Sequence, residues 1–324
     1  MSFSKGDEVM NAKEYLIRSA IYGHAVGDAL GVPVEFSSRQ ELVDAPVEKM
    51  EGFGTYPFPA GTWSDDTSMT LATLDSLSSG IDFEDMMKKF CDWFENARYT
   101  PSGVVFDIGN ATRKSILLYL TKKRPAVQCG QKSEWDNGNG SLMRMMPLAL
   151  CCELSLIRSL PTSSKINYIE KCSSLTHAHR RSMIGCGIFF FVVSELIKEK
   201  SKTAILEGLR KAREFYGECD EFSHYSKLYS EIAELDESEI SGSGYVVNTL
   251  CAAIWCLLTT DNYRDCVLKA VNLGEDTDTT AAVAGGLAGI LYGYNAIPYE
   301  WIATLIAKGE IDRLCESAAK AWQI

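Results

Sequence analysis

No stretch of this chain stays apolar long enough to cross a membrane. The longest run, IGCGIFFFVV from Ile184, stops after ten residues at charged SELIKEK, whereas a spanning helix needs about 20. The first twenty residues hold no apolar core of the secretory kind. Basic patches are missing too: the net charge is −11, which argues against a nucleic-acid backbone as partner. The eleven cysteines form no CxxC pair, so neither a zinc knuckle nor a disulfide framework is indicated. Cys151, Cys152, Cys186, Cys251 and Cys256 instead sit in apolar, helix-like surroundings, as small hydrophobes do. These absences point to a cytoplasmic, monomeric protein without a membrane partner. Alternating strand patterns, solenoid periods, low-complexity tracts and long linkers are likewise absent. With 46% hydrophobic residues, residues 1–324 are expected to form one all-α domain around a sizeable core.

What is present is organised around VNLGEDTDTTAAVAGGLAGILYG, residues 271 to 293. Asp276 and Asp278 lie on a Gly-preceded turn with Thr277, Thr279 and Thr280 interleaved. Carboxylates one residue apart, backed by hydroxyls, suit a hard divalent cation; they suit a helix cap equally. The Ala and Gly residues that follow allow this helix to press closely on a neighbour. A second acidic turn, WSDDTSMTL, sets Ser64, Asp65 and Asp66 at another helix start, where acids also favour the helix dipole. Two such turns, more than 200 positions apart, bring together four carboxylates that repel unless cations sit between them.

Other segments add pieces. A helix over 12–30 carries Gly23, Gly27 and Gly31 on one face, and Pro33 ends it, leaving Glu35 on a loop. Asp107 lies between Phe106 and Ile108, an odd place for a carboxylate without a partner or a task. In WDNGNGSLMR, Gly138, Asn139, Gly140 and Ser141 form a donor-rich loop of the kind that cradles phosphate, although Asn-Gly pairs are turn formers first. Arg144 reads as structural, bridging nearby carboxylates or carbonyls. A long helix is expected to begin near Thr176. His177 and His179, two positions apart, cannot share its face, so His177 reads as a ligand contact rather than half of a zinc site. Residues 200 to 241 read as charged and helical, Tyr245 opens a further apolar helix, and an amphipathic helical region closes the chain.

Six ordered motifs, GHAVGDALGVPVEF, WSDDTSMTL, NGNGSLMRMMPLAL, LTHAHR, GYVVNTLCAAIW and NLGEDTDTTAAVAGGLAGILYG, together resemble the ADP-ribosylglycohydrolase family from about residue 15 to 295. The stretch FDIGNATR, Phe106 to Arg113, resembles the dinitrogenase-reductase-activating, arginine-directed branch. The resemblance implies a compact orthogonal helical domain with a binuclear metal cleft holding two Mg²⁺ or Mn²⁺ ions. It implies metal ligands Ser64, Asp65, Asp66, Asp276, Asp278 and Thr279, with catalytic Glu35 at the scissile bond and Asp107 facing the substrate guanidinium. ADP-ribose would be held by Gly138, Asn139, Gly140, Ser141, His177 and Tyr245, the last near the adenosine end. Ser64 departs from the usual threonine but keeps the hydroxyl, and Glu275 stands where glycine is commoner. The activity implied is removal of ADP-ribose from modified arginine by cleavage at C1″. Hydrolysis of serine, O-acetyl or nucleic-acid linkages, and silent ADP-ribose binding, are the alternatives.

Overall fold

Small residues decide how the helices pack. The computed structural model describes residues 11–322, and its first helix, α1 (Ala12–Gly31), starts where the Asn11 side chain accepts the Glu14 amide. After α2 (Arg39–Asp44) come α3 (Asp65–Leu77), α4 (Phe83–Asn96) and α5 (Asn110–Lys122). The middle of the chain holds α6 (Met146–Leu154), α7 (Thr162–Ser173), α8 (Arg180–Lys198) and α9 (Lys202–Tyr216). The last third adds α10 (Val246–Leu258), α11 (Tyr263–Val271), α12 (Thr277–Tyr292), α13 (Tyr299–Thr304) and α14 (Lys308–Ala321). Among the described residues there is no strand, only isolated bridges joining Gln131 to His177 and Gly138 to Tyr245. The fold is all-α, and no described helix is long and apolar enough to cross a membrane.

The two small-residue faces expected from the sequence meet each other. A Cβ on Gly27 would lie 2.0 Å from the Ala281 carbonyl oxygen, and one on Gly23 would lie 2.3 Å from that of Gly285. At Gly31 it would lie 2.3 Å from the Cα of Asp278. Backbone therefore touches backbone along α1 and α12, a spacing that only glycine permits. Helix α12 is buried from Thr277 to Leu291, with α8, α10 and α11 packed around it. Its cohesion comes from many close contacts rather than from a few large side chains.

The expected closing helices are α13 and α14. Arg18 of α1 pairs with Asp312 and Glu316 of α14, and the Trp322 indole donates to the Leu77 carbonyl at 3.1 Å, tying α14 to α3. Two boundaries differ from expectation. Helix α8 begins at Arg180 rather than near Thr176, because the turn after α7 runs into a bridge between His177 and Gln131. The Gln131 amide donates to Thr176 and its carbonyl accepts from Ala178, while His179 caps the helix by accepting the Arg181 amide. Beyond α9, residues 220–239 form short 3₁₀ turns instead of continued α-helix, where Ser, Asp and Glu satisfy the backbone locally, as Asp236 does for Ser238.

Candidate active site

The start of α3 is built by hydrogen bonds that reach back to α1. Ser64 is the N-cap, its hydroxyl accepting the Asp66 amide at 3.3 Å. Asp28, fully buried in α1, accepts the Ser64 amide through one carboxylate oxygen. Its other oxygen accepts both the amide and the hydroxyl of Thr67. Asp28 thus fixes the turn on which Asp65 and Asp66 stand. The sequence reading gave it no role, although a carboxylate within the small-residue run GHAVGDALG was a signal for one.

The start of α12 is arranged differently. Asp276 makes no side-chain cap, and its Oδ2 accepts from the Asn139 amide nitrogen at 2.9 Å. The Thr277 hydroxyl donates to the Gly31 carbonyl, which anchors the turn to the end of α1. Glu275, whose backbone is left-handed at φ 65°, exchanges backbone hydrogen bonds with Phe36 and Ser37. Glycine takes that conformation without strain, and the Glu275 side chain itself points to solvent. Through these bonds the turn is joined to the segment carrying Glu35.

Glu35 follows a 3₁₀ turn in which Pro33 ends α1, as expected, yet it is only 4% exposed. Asp107 sits on a loop supported by aromatic contacts of Phe106 with Tyr56 and Phe58, and it accepts from the Tyr56 hydroxyl at 3.1 Å. Oxygens of Glu35, Asp107 and Asp278 lie within 4.8 Å of one another, as do oxygens of Asp28, Asp66 and Asp278. Asp278 belongs to both groups.

Among the described residues no basic side chain pairs with these acids, and their electrostatics reflect it. Burial, then the charges of Asp107 and Asp276, push the Glu35 carboxyl up to about 9. Burial first and neighbouring carboxylates next raise Asp107 to about 7 and lift Asp65, Asp66 and Asp278 well above the ordinary range. Glu35 Oε2, Asp66 Oδ1, Asp276 Oδ1 and Asp278 Oδ2 are buried without a hydrogen-bond partner. An unpartnered buried carboxylate oxygen is costly, and all four stand at the meeting point of two helix starts. Hard oxygen donors in this number and arrangement fit divalent cations. Both oxygens of Asp28, by contrast, already have donors, which makes it a brace.

Beside the acids lies a cavity of about 300 Å³, lined by Glu35, Asp65, Asp107, Asp276 and Thr279 on one side and Gly138, Asn139, Gly140 and His177 on the other. Asp66 and Asp278 are buried outside the lining, and the Ser64 hydroxyl, besides capping the helix, lies 3.3 Å from Asp66 Oδ2. The amides of Gly138 and Gly140 donate to no other described residue. Gly140 passes so close to His177 that a Cβ would meet the imidazole Cε1 at 2.8 Å. Burial, reinforced by the Arg144 charge, drives His177 down to about 3, so its ring is neutral. Arg144 spans carbonyls rather than carboxylates, donating to Gly140, Cys172 and the Thr176 hydroxyl. Ser141 lies in the core, its hydroxyl against Cys186 and Ser173, outside the cavity lining. Tyr245 lines an adjoining cavity of about 440 Å³ that shares Trp135, Gly138 and Gly244 with the first.

Comparison with known proteins follows the same line. A family model described as ADP-ribosylglycohydrolase matches residues 11–323. The ADP-ribosylarginine hydrolase Tri1 of Serratia proteamaculans (strain 568) is 34% identical over 303 residues, 92% of this chain and 77% of that protein. The ADP-ribosyl-dinitrogen reductase glycohydrolase of Rhodospirillum rubrum is 30% identical over 296 residues, 90% of each chain. A solved structure of an ADP-ribosylglycohydrolase-related protein complex is similar at TM-score 0.79 and 28% identity, over 96% of this chain and 99% of that one.

Proposed function

The chain belongs to the ADP-ribosylglycohydrolase family, and on that premise we propose that it is a metal-dependent hydrolase that frees modified proteins of ADP-ribose. The bond cleaved is the N-glycosidic bond between C1″ and an arginine side chain. Four buried, unpartnered carboxylate oxygens at the junction of two helix starts carry the metal reading. Arginine specificity is supported by Asp107, a carboxylate at the cavity wall, and by the Serratia relative, an ADP-ribosylarginine hydrolase. All eleven cysteines are free and ten are buried, which supports a reducing, cytoplasmic setting.

Two divalent cations, Mg²⁺ or Mn²⁺, would be held by Asp65, Asp66, Asp276, Asp278, Thr279 and Ser64, supplying positive charge that orients the ribose hydroxyls. The protein's own groups do the rest. Glu35 Oε2, buried and free of partners, receives the proton of the attacking water. As the C1″–N bond breaks, the departing nitrogen keeps the bonding pair and takes up the proton that water gave to Glu35, while Asp107, held by Tyr56, accepts hydrogen bonds from the arginine side chain. Free amides at Gly138 and Gly140 face the diphosphate, and neutral His177 keeps their loop in place. Asn139 links that loop to Asp276, so diphosphate and metal turn share one side chain.

The test measures ADP-ribose release from arginine-, serine- and nucleotide-linked substrates, each with and without Mg²⁺ or Mn²⁺. Release from arginine that stops in EDTA is expected. Full activity in EDTA sinks the metal reading, release from serine or nucleotide alone sinks the arginine reading, and binding without release identifies a silent receptor.

A further inference from the structure

Residues 108–133 contain six basic side chains and no acid, in a chain whose net charge is −11. The six are Arg113, Lys114, Lys122, Lys123, Arg124 and Lys132, and all are exposed. No basic patch stands out along the sequence because these residues are scattered through it; folding draws them together. Arg113, Lys114, Leu117 and Thr121 form the exposed side of α5, as their helical spacing requires, and Lys122, Lys123 and Arg124 follow at its end. The Gln131 side chain donates to the Ser115 hydroxyl, which brings Lys132 back beside the same helix.

These cations are not spent inside the molecule. Elsewhere arginines bridge carboxylates: Arg98 joins Asp75 to Asp92, Arg181 joins Glu134 to Glu221, and Arg210 joins Glu207 to Glu214. None of the six pairs with a carboxylate among the described residues. Glu84, which lines a surface cavity with Lys123 and Arg124, accepts the Ala126 amide. Like charges held on one rigid helix gain nothing from each other. They build a positive field on an otherwise acidic surface, and such a field draws in a negative partner.

The helix begins at the cavity. Gly109, Asn110, Ala111 and Thr112 line it beside Asp107, the carboxylate that receives the arginine side chain in the proposed function. A polypeptide whose modified arginine reaches Asp107 therefore passes the start of α5. From there the 13 residues of the helix carry the positive face over about 20 Å. That span suits a local acidic patch on a folded protein. A long nucleic acid would have to continue over the acidic remainder of the surface, which repels it. Leu117, 42% exposed amid the cations, adds an apolar contact of the kind that protein interfaces use.

Resting on the proposed function, we infer that the exposed side of α5, with Lys122, Lys123 and Arg124, is the docking surface for the ADP-ribosylated protein, and that this partner is acidic around its modified arginine.

The experiment compares three substrates of the whole protein with Mn²⁺: free ADP-ribosylarginine, and two synthetic peptides with ADP-ribosylarginine at their centre. About eight residues on each side, rich in glutamate in one peptide and in lysine in the other, give a reach of about 25 Å. The net acidity of the chain would favour the lysine peptide, so a preference for glutamate has to come from α5. At about 20 mM NaCl, wild-type kcat/KM should be roughly tenfold or more higher for the glutamate peptide, and the gap should close by about 500 mM. Lys114→Glu combined with Lys122→Glu and Arg124→Glu should abolish or reverse the preference and leave free ADP-ribosylarginine unaffected. Lys122→Gln with Arg124→Gln should reduce it part way. Should the triple variant not fold, the wild-type preference and its salt dependence decide. Equal wild-type rates on the two peptides at low salt overturn the assignment. So does a preference that survives the triple change, or an equal loss on free ADP-ribosylarginine. Equal rates together with binding of single-stranded DNA or phosphatidylserine vesicles that the triple change removes would give the face to a nucleic acid or a membrane. Failure of the wild type to cleave any of the three substrates would instead sink the proposed function.

Discussion

At the start of α3 the carboxylates are braced from within the packed helices: Ser64 caps its own turn, and Asp28 of α1 holds three donors of that turn at once. At the start of α12 they are held from outside. Asp276 caps nothing, Asn139 of the glycine loop supplies its donor, and the turn is hydrogen-bonded to the segment after Glu35. The first turn takes its geometry from a helix that cannot shift, since Gly31 and Gly27 of that helix lie against α12 without room for a methyl group. The second takes part of its geometry from the elements that face the ligand. One half of the candidate site is therefore a fixed floor, and the other half is hydrogen-bonded to the loops that line the cavity.

Removing the residue common to both close groups of acids should have the largest effect. Asp278 is the carboxylate shared by the two close groups of acids, so Asp278→Ala should lower kcat/KM on ADP-ribosylarginine by roughly 10³-fold or more, beyond rescue by added Mn²⁺. Near-normal turnover at saturating metal would remove the carboxylate junction from the mechanism.

The two braces separate the halves. Asp28→Asn should weaken metal-supported activity by about 10- to 100-fold, as loss of a group orienting a ligand does, with little change in ADP-ribose affinity. Asn139→Ala should move both the metal requirement and the ADP-ribose Kd, because its side chain touches Asp276 from the loop lining the cavity. If both variants shift the same single quantity, the two helix starts are equivalent and the contrast fails.

Acidity tests the pooled charge. Glu35 and Asp107, raised to about 9 and about 7, keep protons in the metal-free folded chain that the unfolded chain has already released. Stability in EDTA should therefore fall as pH rises from about 4 through those values. Melting should drop by a few degrees between about pH 5.5 and about pH 8.5, and Mn²⁺ or Mg²⁺ should cancel the drop. A melting temperature in EDTA that climbs over this window contradicts the arrangement.

The smallest effect concerns the outer half alone. Glu275→Gly places at φ 65° a residue that adopts it freely, and should stabilise the chain by about 1 kcal/mol in urea unfolding. A destabilisation would mean that the Glu275 side chain has a partner its exposure does not reveal.

Much of this was written locally and could be read. Glycines four apart, Asp pairs at helix starts and a proline ending α1 each act over a few residues, and those features emerged where the pattern put them. What escaped acts across the chain. Asp28 looks like one acid in an apolar helix until Thr67 and Ser64 arrive beside it. Residues 176–178 follow a helical pattern, but their partner, Gln131, lies 45 or more positions earlier and takes their hydrogen bonds out of the helix. Glu275 could be marked as a departure from glycine, whereas its left-handed backbone, the reason glycine suits the position, exists only once the Glu35 segment pairs with it. The hydroxyl of Ser141 likewise turned inward because Cys186 and Ser173 closed over it.

The bare contact between α1 and α12 also governs how this protein can change over generations. Gly23 and Gly285 each face the other's carbonyl oxygen at 2.3 Å for an added Cβ, and Gly289 faces that of Ser19 at 2.0 Å. A first substitution on either helix is blocked by the other, so neither can drift alone and compensating pairs have no viable intermediate. Variation is steered instead to exposed side chains at the surface, such as Val43 and Leu156, which meet no such backbone. Descendants of such a chain would inherit the packing beneath the two acidic helix starts unaltered while residues around the cavity change.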